Sequence, residues 1–129
     1  MTGLETGMQI ESVALRHLRN AGLTLIKRNY RCRLGEIDLI MNDGDLLIFA
    51  EVRYRTSNRY GSGAESVDYR KRRKLILTAR HFLASHHRYG EQGSRFDVIS
   101  VSPSANKAQS EDSDICIEWF QDAFQTECD

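Results

Sequence analysis

The sequence predicts an α/β fold, in which one mixed β-sheet is flanked by helices. Helical periodicity occurs in two segments, one ending near residue 20 and one starting near residue 67. Three strand-like segments lie between them, and further ones follow the second helix. Consecutive strands form an antiparallel meander, whereas a strand, a helix and a strand make a right-handed crossover to a parallel neighbour. The length of 129 residues fits a single domain, 1–129.

The first helix is expected to end near Asn20, because Gly22 suits a helix C-terminus and a threonine near the start can cap the other end. One arc of its helical wheel is mainly apolar, as expected for a helix that covers a sheet, yet Glu11 falls within that arc. A carboxylate in this position is expected to point toward the sheet. Residues 23–33 follow as the first strand.

The stretch GEIDLIMNDGDLLIFAEVRYR, residues 35–55, has the pattern of a β-hairpin. Asp43-Gly44 can supply the positive φ angles of a tight turn and is expected to form its two central residues. Side chains alternate along a strand, so the ladder continued from this turn makes Asp38 and Glu51 diagonal neighbours on one face. Their carboxylates are therefore expected to converge.

A polar, glycine-containing loop leads from the hairpin to Ser66, which can cap the second helix. That helix is expected to end near Gly90. The remaining elements are a fourth strand at 95–101, a mobile acidic loop at about 103–114, a fifth strand at 115–120 and a terminal turn at 121–124.

The composition, 40% hydrophobic and 28% charged, is typical of soluble globular proteins. No apolar stretch approaches the roughly 18 residues that a membrane span requires, and the first residues lack the pattern of a secretory signal. The three cysteines are odd in number and widely spaced, which argues against a disulfide framework and a thiolate zinc site. A cytoplasmic protein with reduced thiols, and no membrane partner, is expected.

The net charge of zero conceals an uneven distribution along the chain. Residues 1–102 hold 17 basic and 11 acidic side chains, whereas residues 103–129 hold one basic and seven acidic ones. Eight basic residues fall between Arg53 and Lys74. The overall charge is thus a poor guide to what the surface of the folded chain attracts.

The charged residues of the hairpin suggest a metal site. Two converging carboxylates beside an apolar surface repel each other and lose solvation, which is unfavourable unless a cation binds between them. Oxygen ligands in an incomplete cage suit Mg²⁺, which keeps several waters and binds substrate phosphates. Glu11 is a third carboxylate aimed at the same place. Another interpretation stays open, in which the strand charges lie on a solvated face and Arg53 is an ordinary cross-strand partner of Asp38 or Glu36.

These residues resemble a known superfamily. Asp38 and Glu51, the ExK-like Glu51-Val52-Arg53 and the helix residue Glu11 are similar to the pattern of the PD-(D/E)XK nucleases. GEIDLI followed at this distance by FAEVRYR is a specific signal, and the resemblance covers nearly the whole chain. The chain is identified as a member of the YraN family, also called UPF0102, which is similar to archaeal Holliday junction resolvases.

The resemblance implies a restriction-endonuclease-like, three-layer fold with an αβββαβ core and a further C-terminal strand. It also implies hydrolysis of DNA phosphodiester bonds with Mg²⁺ or Mn²⁺, and branched DNA as the substrate if the likeness to resolvases extends that far. A homodimer is implied as well, because two symmetric cuts favour two sites. The implied metal ligands are Asp38, Glu51 and the Val52 carbonyl, and the implied catalytic residues are Glu11, Asp38, Glu51 and Arg53.

Arg53 departs from the superfamily pattern, which has lysine at this position. A guanidinium stays protonated and presents a planar fork, so Arg53 can neutralise charge on a phosphate but is unsuited to act as a general base. Catalysis by this chain is therefore expected to rely on metal-bound hydroxide, to be reduced or to be absent.

The run RKRRK at 70–74 is expected to bind nucleic-acid phosphates from one surface of the second helix. The alternative is that these charges simply form a solvated helix face. Lys71 lies one turn before Leu75 and hence on the flank of the buried stripe. The predicted nucleic-acid-binding residues are Arg55, Arg70, Lys71, Arg72 and Lys74.

Three functions remain open from the sequence. The first is a metal-dependent endonuclease that acts on DNA. The second is a nucleic-acid-binding module of the same fold without turnover, which the arginine at position 53 favours. The third is a protein-interaction domain whose acidic segment 103–129 binds a basic partner.

Overall fold

The structure is a computed structural model of the 129-residue chain and describes residues 7–55, 68–90, 92–103 and 115–124. The expected caps Thr2 and Thr6 and nearly all of the expected acidic loop at about 103–114 lie outside the described residues. The order of helices and strands is the predicted one. In chain order they are α1 (Gly7–Asn20), β1 (Thr24–Cys32), β2 (Gly35–Asp43), β3 (Leu46–Tyr54), α2 (Tyr69–Ser85), β4 (Gly93–Pro103) and β5 (Ile115–Phe124).

The five strands form one mixed sheet in the order β1-β2-β3-β4-β5. β1, β2 and β3 are antiparallel neighbours, as expected for strands that are joined by short turns. α2 connects β3 to β4, which run parallel, and β5 returns antiparallel beside β4. The predicted meander and crossover are both confirmed.

The two helices cover opposite faces of this sheet. Leu75 and Phe82 of α2 belong to one buried cluster, and Ala14 and Leu18 of α1 belong to the other. Alternate side chains of the central strands fill both clusters, which explains why those strands are apolar almost throughout. This is the three-layer α/β architecture, with an αβββαβ core and a further strand, that the sequence predicted. Within the described ranges, no helix is both long and apolar enough to span a membrane.

The ends of α2 differ from the prediction. Its N-cap is Asp68 rather than Ser66, because the Asp68 carboxylate accepts a hydrogen bond from the Lys71 backbone N–H at 2.9 Å. The helix ends at Ser85 and not near Gly90, since the backbone of His86 leaves the helical region. A short 3-10 turn, His87–Tyr89, follows.

The turn between β2 and β3 also differs from the prediction. Asp43 pairs with Leu46, so that Gly44 and Asp45 are the two turn residues instead of Asp43 and Gly44. Gly44 has a φ of +66°, and this is the position at which the turn needs a positive φ. The pairing moves by two residues, so the side chains next to the turn keep their predicted faces while their cross-strand partners change.

β5 extends beyond its predicted end. Residues 121–124, expected to form a turn, continue the strand after a bulge in which Asp122 has a φ of +54°. The buried carboxylate of Asp97 holds this bulge by accepting the Asp122 backbone N–H at 2.9 Å. It also accepts hydrogen bonds from Arg95 and from the Trp119 indole N–H.

Gly35, at the start of β2, lets α2 approach the sheet closely. Its φ is +155°, and a Cβ at this position would lie 2.8 Å from Thr78 Oγ1. The Thr78 hydroxyl donates to the Lys74 carbonyl at 2.8 Å, so it moves aside only by giving up that bond. We expect Gly35→Ala to lower the free energy of unfolding by about 1–3 kcal/mol. Urea denaturation would measure this, and Gly93→Ala is a suitable control because its Cβ would meet only ordinary contacts. Equal effects of the two substitutions would contradict the explanation.

Candidate active site

An acid pair lies where β2 and β3 run side by side. The ladder between the two strands ends at the pair Leu39 and Ala50, and Asp38 and Glu51 are the next residue on each strand. The Val52 backbone N–H donates to Asp38 Oδ2 at 2.8 Å, which fixes one carboxylate oxygen. The two carboxyl groups are close enough for the negative charge of Glu51 to act on Asp38. The predicted proximity of the two carboxyl groups is thus observed.

Asp38 lies where the side-chain alternation of β2 reverses. Ile37 and Ile40 both pack in the cluster under α2, whereas Leu39 packs in the cluster under α1. On the neighbouring strand β1, Asn29 lies opposite Asp38 in the ladder and has a φ of +57°. Both strands therefore deviate from regular geometry at this point, which frees the Asp38 side chain to turn toward β3.

The pKa of Asp38 is raised to about 7. Burial of the carboxyl group is the main cause, the negative charge of Glu51 is the next, and the charge of Glu11 and the hydrogen bond to Glu51 add to it. The Val52 N–H acts in the opposite direction because it stabilises the carboxylate. Near neutral pH the empty pair therefore readily holds a proton.

Two basic side chains contact the same oxygen of Glu51. Lys71 Nζ lies 3.1 Å from Glu51 Oε2, and Arg53 Nη1 lies 3.6 Å from it. The Glu51 side chain is only 6% exposed, whereas that of Lys71 is 41% exposed. These contacts compensate the charge of a buried carboxylate that would otherwise be costly to desolvate.

Glu11 approaches from α1 and is held in place by β1. Its Oε1 accepts hydrogen bonds from Arg28 Nε at 3.2 Å and from Asn29 Nδ2 at 3.1 Å. Arg28 also binds Ser12 Oγ at 3.0 Å. The charge of Glu11 acts on Asp38, so the two groups are close, but one Glu11 oxygen already has two donors. Glu11 is therefore suited to support the acid pair from its edge.

The acid pair fits a divalent cation by its donor chemistry. Among the described residues, no group of three or more His, Cys, Asp and Glu side chains is arranged to hold a metal ion by itself. Two adjacent carboxylates nevertheless suit Mg²⁺ or Mn²⁺, because Mg²⁺ usually takes one or two carboxylates and fills its remaining positions with water and phosphate. The Val52 backbone contributes its N–H to Asp38, and the role of its carbonyl oxygen as a further ligand stays a prediction.

The predicted nucleic-acid-binding residues differ in their contacts and exposure, and their binding to nucleic acid stays a prediction. Lys71 points to Glu51, and the Arg72 guanidinium lies over the Phe124 ring at 5.6 Å from its centroid. Arg70 and Lys74 are exposed at the start of α2, and Arg55, partly buried, lies just past the end of β3. The basic run therefore supplies one side chain to the acid pair, and others of the run are exposed on the same helix.

Sequence reasoning missed the two residues that organise Glu11. Arg28 and Asn29 lie within β1 and are separated from Glu11 by 17 and 18 positions. An asparagine inside an otherwise regular strand was the available signal, because asparagine tolerates a positive φ better than most residues.

A family model described as "Uncharacterised protein family UPF0102" matches residues 10–101. A UPF0102 protein of Stutzerimonas stutzeri is 42% identical over 121 residues, which cover 94% of this chain and 95% of that protein. A UPF0102 protein of Methylococcus capsulatus is 46% identical, over 95% of this chain and 92% of that protein. Among solved structures, Pyrococcus furiosus SfsA in complex with Ca²⁺ is 12% identical with a TM-score of 0.34, over 89% of this chain and 62% of that one. This score is too low to support a conclusion.

Proposed function

The chain belongs to the uncharacterised protein family UPF0102, and from its own site we propose that it is a metal-dependent endonuclease that acts on DNA. The observation that carries this proposal is the geometry of the acid pair: the half-buried Asp38 carboxyl group accepts the Val52 N–H at 2.8 Å and lies beside the buried Glu51, whose Oε2 contacts Lys71 and Arg53. The pKa of Asp38, raised to about 7 by burial and by the charge of Glu51, supports the proposal. A buried acid pair that gains a proton when empty is a site that a divalent cation can occupy by replacing that proton.

Each residue near the pair has a role in this proposal. Asp38 and Glu51 hold the cation, and the Val52 N–H keeps one Asp38 oxygen in a fixed orientation. When bound, Mg²⁺ or Mn²⁺ would polarise a phosphoryl oxygen and lower the pKa of a water molecule. The Arg53 guanidinium binds and neutralises a phosphate oxygen, because it remains protonated and is therefore unsuited to accept a proton.

The proposed substrate class is supported by the two basic side chains at the pair, Arg53 and Lys71, and by further exposed basic side chains in the same part of α2. Phosphates of a nucleic-acid backbone bind such side chains with an affinity that falls steeply as salt increases. The resemblance to resolvases makes branched DNA the first substrate to test, together with the homodimer that two symmetric cuts would need. Sedimentation of the protein alone would test the homodimer.

The proposal is tested by cleavage of labelled duplex, single-stranded, flap and four-way-junction DNA, and of RNA, with Mg²⁺, Mn²⁺ or EDTA. We expect cleavage that requires the metal and falls roughly 100-fold or more in Asp38→Asn and in Glu51→Gln, because each removes a ligand charge. Glu36→Gln is the matched control, since Glu36 lies on the same strand in a surface ion pair with Arg31. A wild-type protein that cuts none of these substrates, or acid-pair variants that cut like the control, would disprove the proposal.

A second candidate function is nucleic-acid binding without cleavage. The observation that favours it is that Lys71 and Arg53 already contact the same Glu51 oxygen, so the charge of the pair is compensated without a metal ion. Salt-sensitive DNA binding that survives Asp38→Asn, in a protein that does not cut, would support this function instead.

A further inference from the structure

We propose that Lys71 exchanges partners at the active site: it neutralises Glu51 when the site is empty, and it binds a substrate phosphate when a divalent cation takes its place on Glu51. This inference rests on the proposed function. The positively charged amine of the site is then supplied by Lys71 of α2, because the strand position where the superfamily has lysine is occupied by Arg53 in this chain.

The backbone of Lys71 is held firmly while its side chain can move. Lys71 lies in the first turn of α2, and its N–H is bound by the Asp68 carboxylate at 2.9 Å. The close approach of Thr78 to Gly35 fixes the same helix against β2. The Lys71 side chain crosses from this anchored backbone to Glu51, and its 41% exposure leaves room for a different orientation.

Lys71 is better suited to this exchange than Arg53. Both contact Glu51 Oε2, but Lys71 is at 3.1 Å and Arg53 at 3.6 Å. An ammonium is a compact charge on a flexible stem with three donors, so it can leave one oxygen and bind another after a small movement. Arg53 is on the same strand as Glu51, two residues away, and its guanidinium has enough donors to stay beside Glu51 and still bind a phosphate oxygen.

The exchange follows from charge balance at the buried oxygen. A divalent cation on Glu51 and an ammonium about 3 Å from the same oxygen repel each other, so binding of one weakens binding of the other. Once displaced, the ammonium is left with an unpaired charge close to the bound cation, where the negative charge of a DNA phosphate is expected. Lys71 would thus lower the affinity of the free protein for the metal ion and favour binding of substrate and metal together.

The exchange predicts opposite effects of one substitution. In Lys71→Met, which keeps the apolar part of the side chain, Mn²⁺ binding to the protein without DNA is expected to tighten by about tenfold, because a competing charge is removed. Cleavage of DNA by the same variant is expected to fall by roughly 100-fold, because the phosphate loses a charged donor. A merely structural role of Lys71 would weaken both together.

The experiment is a Mn²⁺ titration of the full chain, followed by electron paramagnetic resonance, together with single-turnover cleavage at saturating Mn²⁺. Lys27→Met is the matched control, because Lys27 is an exposed lysine on β1 and is expected to leave both quantities within about twofold. In Lys71→Met combined with Arg53→Lys, the ammonium returns to the site from β3, and part of the lost cleavage is expected to return.

Unchanged or weaker Mn²⁺ binding in Lys71→Met would overturn the exchange. Tighter Mn²⁺ binding with unchanged cleavage would overturn the assignment of Lys71 to the phosphate. Absence of cleavage by the wild-type protein would overturn the proposed function alone, since the competition between Lys71 and the metal is decided by the titration without DNA.

Discussion

Asp97→Ala is expected to lower the free energy of unfolding by about 3–5 kcal/mol, because it breaks a buried ion pair and leaves its partners without an acceptor. The Asp97 side chain is fully buried and receives Arg95 Nε and Nη2 at 2.9 and 3.2 Å. It also receives the Trp119 indole N–H at 2.8 Å and the Asp122 backbone N–H at 2.9 Å. One carboxylate therefore joins β4 to the bulge of β5, and alanine provides none of these bonds.

Urea denaturation monitored by circular dichroism would measure this loss. Glu118→Ala is the control, since it removes an exposed carboxylate from β5, and we expect it to change stability by no more than about 0.5 kcal/mol. Asp97→Asn should fall between the two, because it keeps the shape and one acceptor oxygen. A loss below about 1 kcal/mol in Asp97→Ala would show that the bulge is held by packing alone.

The second large effect concerns the stability of the metal-free protein as a function of pH. The ordinary pKa of an aspartate, 3.8, applies to Asp38 in the unfolded chain, whereas its pKa in the folded protein is about 7. Between about pH 4 and pH 7 the folded state therefore binds more protons than the unfolded state. The stability contributed by this proton is present below about pH 4 and is lost as the pH rises through 7. The loss is expected to reach roughly 4–5 kcal/mol, at 1.4 kcal/mol for each pKa unit.

Asp38→Asn should remove this dependence, because the amide stays neutral, can accept the Val52 N–H and can donate to Glu51. In EDTA at pH 8 the variant is therefore expected to be more stable than the wild type, and at pH 4 the two should be nearly equal. Denaturation at a series of pH values would check this, with the exposed Asp45→Asn as the control. A variant that is less stable than the wild type at pH 8 would contradict the raised pKa.

The effect of Mg²⁺ on the free energy of unfolding is an independent test of the role of the Asp38 carboxyl group. If the cation binds the ionised pair, it should recover stability of the wild type at pH 8 by mass action and leave Asp38→Asn unchanged. An equal increase in both proteins would place the bound cation elsewhere.

The convergence of the acids could be predicted because it depends on local rules. A short turn between two adjacent strands brings Asp38 and Glu51 close together, and an error of two residues in the register left them neighbours. The choice between Asp43-Gly44 and Gly44-Asp45 as the turn could not be made locally, because glycine tolerates a positive φ at either position.

The amino-acid sequence by itself determined the order of helices and strands, the mixed sheet and the meeting of two carboxylates on one hairpin, because hydrophobic periodicity and alternation act between near neighbours. The tertiary structure alone decided that Lys71 reaches Glu51, because the docking of α2 on β2 depends on the close approach at Gly35. It also decided the clamp of Arg28 and Asn29 on Glu11 and the raised pKa of Asp38. The side chains that bury and charge this site are far apart in the chain, so the distances between them cannot be predicted from local sequence patterns.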